Sequence, residues 1–531
     1  VARPRLALLE RVTELETTCR VAVSELADDL RRTVAAIRAC RPNVDTPEAR
    51  KAAADALELL PAKWTEIFGH YVWHPTQAAA RASTARYRAI EAGRRSGKTA
   101  DRKAEIIERA LDPDWFDRHR LSQRFIVVGL PTQQQTRDRY LDDLLDLLPN
   151  RFIAGDPRLS DPQMIRTIAG ARIILAGMDR PQRAEGEPID DLFLDEFADM
   201  RIGRAVIDRH LRPSLSTRGR PPGSVTVYGT TDMISGAEFA ELCDSWQAKQ
   251  HAGSTEHAYF HWSSEGIVSD EEWTSQRADL DPATFAVEYE ARRVSTGDLA
   301  YWCFRRGDHV VPRLRLIPDR QVAICFDWNI RPGTATILQE QCVEDYTTAT
   351  PLPEKIADDF TAVLGEVFLR QNGQAPRVIQ AVIEKLRAMG HTGKVHAYGD
   401  PAGGSGHSAA TEGTCLEHLK RLGKAAFGDR FSMRFQRAAP AVIARLNAVN
   451  ARLRNADGMI RMVVDPACKE TLKDLEQVHI AQKTSGGIEI EKATKGPKAD
   501  RTHLTDGLGY YIAEVFPTRS RSAARDADFG R

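Results

Sequence analysis

The sequence predicts an α/β protein with two sheet-bearing domains, and three observations carry that prediction. Between residues 61 and 240 short β-rich runs alternate with helical stretches, the pattern of βαβ units around a mostly parallel sheet. Within that region stand a glycine-containing loop, Gly93-Arg-Arg-Ser-Gly-Lys-Thr99, and an apolar run ending in two acids, Leu192-Phe-Leu-Asp-Glu196. A second strand-rich region opens at Gln321-Val-Ala-Ile-Cys-Phe-Asp327 and runs to about Phe516.

At 531 residues the chain is too long for a single core, so two or three domains are expected. Lys+Arg and Asp+Glu both total 74, which speaks against a passive DNA binder and confines any nucleic-acid contact to local patches. No run reaches the roughly 18 apolar residues of a membrane span, so no membrane partner is expected. The opening Val1-Ala-Arg-Pro-Arg shows no signal-peptide apolar region, which makes the cytoplasm the default expectation. The first residue is Val and not Met, so a missing or processed N-terminus is expected. The eight Cys form no CxxC pair, which suits a reducing compartment and supplies no zinc framework.

Residues 1–60 read as a helical extension. Leu9, Val12, Cys19, Val23, Leu26, Leu30, Ile37 and Cys40 keep a/d spacing, interrupted by Glu16 and Thr33. A helical hairpin packing on its own domain and a docking arm for a partner both fit. Residues 61–240 form the first catalytic domain, with strands expected at Arg88–Glu91, Arg124–Leu130, Arg172–Ala176, Leu192–Leu194 and Ser224–Tyr228, and a helix over Gln133–Leu148. Residues 241–318 read as a mostly helical connector, 319–516 as the second catalytic domain, and 517–531 as a flexible basic tail.

The first constellation has the chemistry of a nucleotide hydrolase. Gly93, Arg95, Ser96 and Gly97 belong to a loop whose backbone N–H groups close on phosphate oxygens, Lys98 adds a point charge, and the Thr99 hydroxyl can ligate Mg²⁺. Strand Arg88–Glu91 feeds the loop and a helix follows Thr99, although Ala92 stands where the strict pattern has Gly. Asp195 is placed to hold Mg²⁺ and Glu196 to orient or deprotonate water; a solvated helix start is the plain alternative. In His74-Pro-Thr-Gln77 the Gln77 amide can read an adenine edge or simply be exposed. Arg94 and Arg95 can stabilise charge on the transferred phosphoryl group or pair with a nearby acid. Val225-Thr-Val-Tyr-Gly-Thr-Thr231 is a strand ending in small hydroxyl residues, suited to sensing the γ-phosphate through Thr230 and Thr231.

The second constellation is three acids. Asp327 ends an apolar strand, Asp400 ends another (Lys394-Val-His-Ala-Tyr-Gly-Asp400), and Asp506 begins a helix, Thr505-Asp-Gly-Leu-Gly-Tyr-Tyr-Ile512. Carboxylates at such positions can converge on one sheet edge and hold two Mg²⁺ or Mn²⁺ ions about 4 Å apart for in-line attack on a phosphodiester. Turn or cap residues are the plain alternative. His503 can ligate metal, contact phosphate, or neighbour the helix cap. Lys483, Lys492, Lys495 and Lys498 surround a Gly486-Gly487 hairpin signal that is either a grip on a DNA backbone or an exposed charged hairpin.

In their order these segments resemble the large subunit of tailed-bacteriophage terminases, from about residue 70 to 516. The matching segments are HPTQ, GRRSGKT, IVVGLPTQQQTRD, EGEPIDDLFLDEFAD, VYGTTD, TFAVEYEARRVSTGDLAYWCF, CFDWN, YGDPAG, RLNAVNARLRN and THLTDGLGYYI. The resemblance implies an N-terminal ASCE-type P-loop ATPase domain followed by an RNase H-like nuclease domain. A slightly irregular phosphate loop is usual there, so Ala92 is tolerated. Lys98 and Thr99 would bind phosphates and Mg²⁺, Asp195 and Glu196 would be the metal-binding and catalytic acids, Gln77 would contact adenine, and Arg94 would sense the γ-phosphate. Gly229-Thr230-Thr231 would be the coupling motif, and Asp327, Asp400 and Asp506 the nuclease metal ligands. Arg137 and Arg139 are the candidates for a trans-acting arginine. Double-stranded DNA, a small terminase subunit and the portal protein of a procapsid would be the partners, met by a ring that is monomeric in isolation. The setting implied is the host bacterial cytoplasm, transiently on the procapsid and not in the mature virion.

Three rivals are distinguishable. A helicase-like repair translocase with a nuclease domain predicts a QxxGRxxR segment after the acidic pair, and none is present. A catalytically decayed prophage DNA-binding relic predicts missing acids, yet each expected acid and the loop lysine is present. A small-molecule kinase leaves the second domain unexplained.

Overall fold

The computed structural model describes residues 74–148, 152–160, 162–200, 203–231, 237–294, 297–329, 331–347, 350–401, 413–482, 488–491 and 501–518. The expected extension over 1–60, the Gly486-Gly487 hairpin with its four lysines, and the tail beyond residue 518 lie outside the described residues. Two compact units emerge: one runs through Thr230 and takes in Gly236–Trp262, and the other comprises Thr231–Ser235 and the chain from Ser263 onward.

The first unit is built on seven strands: β1 (Tyr87–Ala92), β2 (Arg124–Leu130), β3 (Gln163–Arg166), β4 (Ala171–Gly177), β5 (Asp191–Leu194), β6 (Ser224–Gly229) and β7 (His257–Trp262). Their order is β3-β4-β2-β5-β6-β1-β7, parallel except for the β3–β4 pair. β2 is buried along its whole length, as a run covered by helices on both faces must be. One face carries a core of Val127, Leu192, Leu194, Val225, Val227, Phe239 and Trp246, closed by the helix Ala237–His251. The strand that feeds the glycine loop is separated from the acidic strand by one additional strand, β6, which is the ASCE arrangement.

Each expected strand is present, lengthened by a residue or two in four cases. Two strands went unread. β3 has only four residues. β7 falls inside the stretch read as a helical connector; it is an edge strand with a single neighbour, and its half-buried pattern with two histidines offers no apolar run. The expected helix over 133–148 runs from Gln133 to Leu147 with its middle turn, Arg137–Leu141, wound as a π-helix. Thr132 caps its start, accepting from Gln135 N–H at 3.2 Å.

The second unit holds a six-stranded sheet of β8 (Val322–Asp327), β9 (Gly333–Cys342), β10 (Ile356–Leu369), β11 (Val395–Gly399), β12 (Phe431–Met433) and β13 (Ile460–Val464), plus a small antiparallel pair, β14 (Ile480–Gln482) and β15 (Ile488–Ile490). The large sheet runs β12-β11-β8-β9-β10-β13. β8, β9 and β10 form an antiparallel meander, and β11 and β12 add in parallel on the other side of β8, the RNase H-like order. Alternation along β8 sends Val322, Ile324 and Phe326 into one core and Ala323 and Cys325 into the other. Helices Ala375–Ala388 and Cys415–Phe427 cover the first face, and Val442–Leu453 and His503–Val515 the second.

Candidate active sites

The glycine loop leaves β1 at Gly93 and enters the helix Lys98–Leu111 through Gly97, whose φ of 79° suits a residue without Cβ. Lys98 is buried and donates from Nζ to Ala92 O (2.9 Å), Gly93 O (2.6 Å) and Thr230 Oγ1 (3.0 Å). Thr230 in turn donates to Ala92 O at 2.9 Å. Because Glu91 pairs with Gly229, the ends of β1 and β6 lie side by side, and the loop lysine ties them. Ala92, the departure from the strict pattern, is fully buried and contributes only its carbonyl to this knot. Arg94 is half-buried and Arg95 exposed with φ 58°, both on the loop. The Ser96 hydroxyl is buried with no hydrogen-bond partner among the described residues, an orphan suited to a phosphate oxygen.

Gln77, expected at an adenine edge, is buried, and its amide is engaged elsewhere. Its Oε1 accepts from His74 N–H (2.9 Å) and closes a capping box on the helix Pro75–Ala82, while its Nε2 donates to Ser96 O at 2.9 Å. Trp262 Nε1 donates to the same carbonyl at 3.2 Å. As placed, Gln77 is a strut under the phosphate loop, and Trp262 is a second strut that sequence reading missed.

Asp195 and Glu196 follow β5. Asp195 N–H donates to Gly129 O at 2.8 Å, extending the β2–β5 ladder, and Glu196 turns out of the strand with φ 50°. Asp195 is buried, paired with the equally buried Arg102, and accepts from Tyr140 Oη (2.8 Å) and Glu196 N–H (2.7 Å). Arg102 also lies 3.4 Å from Thr99 Oγ1. Burial opposes the Arg102 charge, but Asp195, with Tyr140 and Tyr228, outweighs it and the Arg102 pKa is raised; burial also pushes the Tyr140 phenol well up, so it remains a donor. Glu196 Oε1 accepts from Arg139 Nη1 at 2.7 Å. Arg139, a candidate for a trans-acting role, therefore meets an acid of its own chain; Arg137 opens the same π-helical turn. Thr231, the last of the expected nucleotide residues, is buried and belongs to the second unit.

In the second unit Gly399 pairs with Phe326, so Asp327 and Asp400 leave adjacent parallel strands side by side. Helix His503–Val515 brings Asp506 to the same strand end: Gly507 lies so close to β8 that an added Cβ would stand 3.3 Å from Cys325 O. The Tyr510 phenol is pushed up to about 12, by burial first and with Asp400, Asp506 and Asp327 each adding against the opposing pull of Arg445, so all three carboxylates are felt at one phenol. The side chains themselves are engaged by neighbours. Asp327 Oδ2 accepts from Asn329 and lies 2.8 Å from His503 Nδ1, and Asp506 Oδ1 pairs with Arg445 Nη1 at 3.1 Å. Among the described residues no three His, Cys, Asp or Glu side chains are gathered as a closed metal cage. The structure brings the three aspartates to one sheet end without converging their oxygens. The donor set is all oxygen, the chemistry that suits Mg²⁺ or Mn²⁺.

No family profile and no curated protein matches this sequence. Among solved structures, the large terminase of a thermophilic bacteriophage is similar, at 14% identity over 84% of this chain and 99% of that one, with a TM-score of 0.50. This chain has the fold of a phage large terminase. Shorter matches are the large terminase ATPase domain of Thermus phage P74-26 (23% identity, 44% of this chain and 98% of that one, TM-score 0.31) and the large terminase nuclease of thermophilic phage G20c with bound magnesium (13%, 41% and 97%, 0.26). Within the terminase fold, the residues that sequence reading missed are Arg102, Tyr140, Trp262, Asn329 and Arg445. One signal pointed to Arg102: Lys98, Arg102, Glu105 and Arg109 stand at i, i+4, i+7 and i+11, a charged stripe at the spacing of a core-facing helix side.

Proposed function

We propose that this chain is a terminase large subunit: an ATP-driven motor that moves viral double-stranded DNA into a procapsid and cuts concatemeric DNA. The observation that carries the reading is the pairing, in one chain, of a phosphate loop tied to Thr230 beside the Asp195–Glu196 acids with three aspartates at one end of a second sheet. The fold shared with the large terminase of the thermophilic bacteriophage supports it.

At the first site Lys98, Ser96 and the loop amides bind the triphosphate, Thr99 and Asp195 hold its Mg²⁺, and Arg94 meets the γ-phosphate. Glu196 orients water and takes its proton as the terminal P–O bond breaks, releasing ADP and phosphate. Thr230, bonded to Lys98, carries the change in phosphate occupancy into β6 and on to Thr231. At the second site Asp327, Asp400 and Asp506 would hold two Mg²⁺ or Mn²⁺ ions, which would supply charge neutralisation and activate a water for phosphodiester hydrolysis. A ring of such chains on the portal, with a small DNA-recognising subunit, in the host cytoplasm and transiently on the procapsid, is the assembly in which this chemistry makes a packaging motor.

The test is to incubate the purified chain with ATP and forked or blunt duplex DNA. The reading predicts ATP hydrolysis and metal-dependent cutting of both substrates without strand displacement. Displacement of the forked strand would favour a helicase-like translocase, and absence of both activities in the presence of the small subunit would favour a decayed relic.

A further inference from the structure

Asp195 is 1% exposed, yet its carboxylate meets groups from three separate elements, two as hydrogen-bond donors and one as an ion pair. Glu196 N–H comes from the turn after β5, Tyr140 Oη from the π-helical turn, and Arg102 from the helix that follows the phosphate loop. Arg102 is itself fixed: it is fully buried, its guanidinium lies 4.1 Å from the Tyr228 ring centroid and 5.6 Å from that of Tyr140, and it reaches the Thr99 hydroxyl. Lys103, the next residue, lies 5.4 Å from the same Tyr140 ring and pairs with Asp143, three residues after Tyr140, so the two helices are also tied by an ion pair beside the ring. A buried, rigid cation beside a buried carboxylate is costly unless it is paired, and here both partners are also bonded to other groups.

We propose that Arg102 and Tyr140 are positioning residues for the divalent ion of the nucleotide site. One guanidinium spans the Thr99 hydroxyl and the Asp195 carboxylate, and the tyrosine holds the other carboxylate oxygen, so the two protein groups that meet the ion are held as a pair before it arrives. Outer partners of this kind set metal affinity by fixing ligand orientation. The inference rests on the nucleotide-site reading above and adds to it the residues that set its metal dependence.

The test uses the full chain and a fluorescent ATP analogue, with binding measured in EDTA and across a Mg²⁺ titration, alongside thermal unfolding. The variants are Tyr140→Phe, which keeps the ring and removes only the hydroxyl, Arg102→Gln, and Arg102→Lys. The expected result is analogue affinity in EDTA within about twofold of wild type and a Mg²⁺ midpoint raised about tenfold or more in Tyr140→Phe and Arg102→Gln, the range seen when outer partners of metal ligands are removed. Arg102→Lys, which keeps the charge and loses the fork, should fall between them and wild type. A lowered melting temperature with an unmoved Mg²⁺ midpoint in folded Tyr140→Phe would overturn the proposal and leave both residues a packing role. Failure of the wild type to bind the analogue, or binding left undiminished by Lys98→Ala, would instead overturn the nucleotide-site reading itself.

Discussion

Arg139 Nη1 lies 2.7 Å from Glu196 Oε1, and the next residue, Tyr140, holds Asp195, so two consecutive side chains of one π-helical turn grip two consecutive acids. π-Helical turns are uncommon and gather at functional sites. Glu196 needs the restraint, because at φ 50° it sits in the left-handed region outside the strand ladder.

The Arg139–Glu196 pair is partly exposed and worth about 0–1 kcal/mol of stability. Arg139→Ala should therefore leave the melting temperature nearly unchanged while lowering the ATP turnover number about tenfold, the effect of a coupling near 1.4 kcal/mol. Glu196→Gln should lower turnover by about 10²–10⁴ with nucleotide binding retained. The double variant should be no slower than Glu196→Gln alone; strict additivity in steady-state rates would show that the two residues act separately.

Thr230→Val keeps the shape of the side chain that follows β6 and removes the hydroxyl that meets Lys98 and Ala92 O. Analogue binding should persist, since Lys98 keeps two loop carbonyls, but hydrolysis should fall about tenfold as the lysine loses a buried partner. An isothermal binding titration beside the rate assay separates the two effects.

The helix behind the phosphate loop confers an acid sensitivity. Burial pushes the Glu105 carboxyl up, but Arg88 and Arg109 outweigh it and hold it at about 2, below its ordinary 4.5. A folded value below the unfolded one gives stability that is complete above about 4.5 and lost as pH falls toward 2, in total about 3 kcal/mol. Glu105→Gln should abolish that dependence and destabilise the unit at neutral pH, with Arg88 and Arg109 left buried. The unfolding phase to follow is the one that ATP analogue stabilises.

Gly399 has φ 152°, and a Cβ there would stand 2.3 Å from Phe326 O. Gly399→Ala must push β11 away from β8 at the point where Asp400 meets Asp327. DNA cutting should drop at least about a hundredfold while ATP hydrolysis stays within about twofold of wild type. A plasmid nicking assay beside phosphate release checks both.

Legibility in the sequence followed the range of the interactions. The loop Gly93–Thr99, the strand ending in Asp195-Glu196 and the three strand-end or helix-start aspartates are local patterns, and the structure sets each on the expected kind of element. β7 was hidden because an edge strand needs only one buried face, and His257 and His261 interrupt any apolar signal. Gln77 donates from its amide to Ser96 O, a contact that depends on how the helix Pro75–Ala82 meets the loop. Tyr140 and Arg445 act on acids 55 and 61 residues away along the chain, and only the sheet order brings them there.

The most direct measurement of the two-site account compares wild type, Lys98→Ala and Asp327→Ala for ATP hydrolysis and for plasmid cleavage in Mg²⁺ or Mn²⁺. The account predicts that Lys98→Ala loses hydrolysis and keeps cleavage, and that Asp327→Ala loses cleavage and keeps hydrolysis. Cleavage that survives Asp327→Ala, or hydrolysis that survives Lys98→Ala, would contradict it.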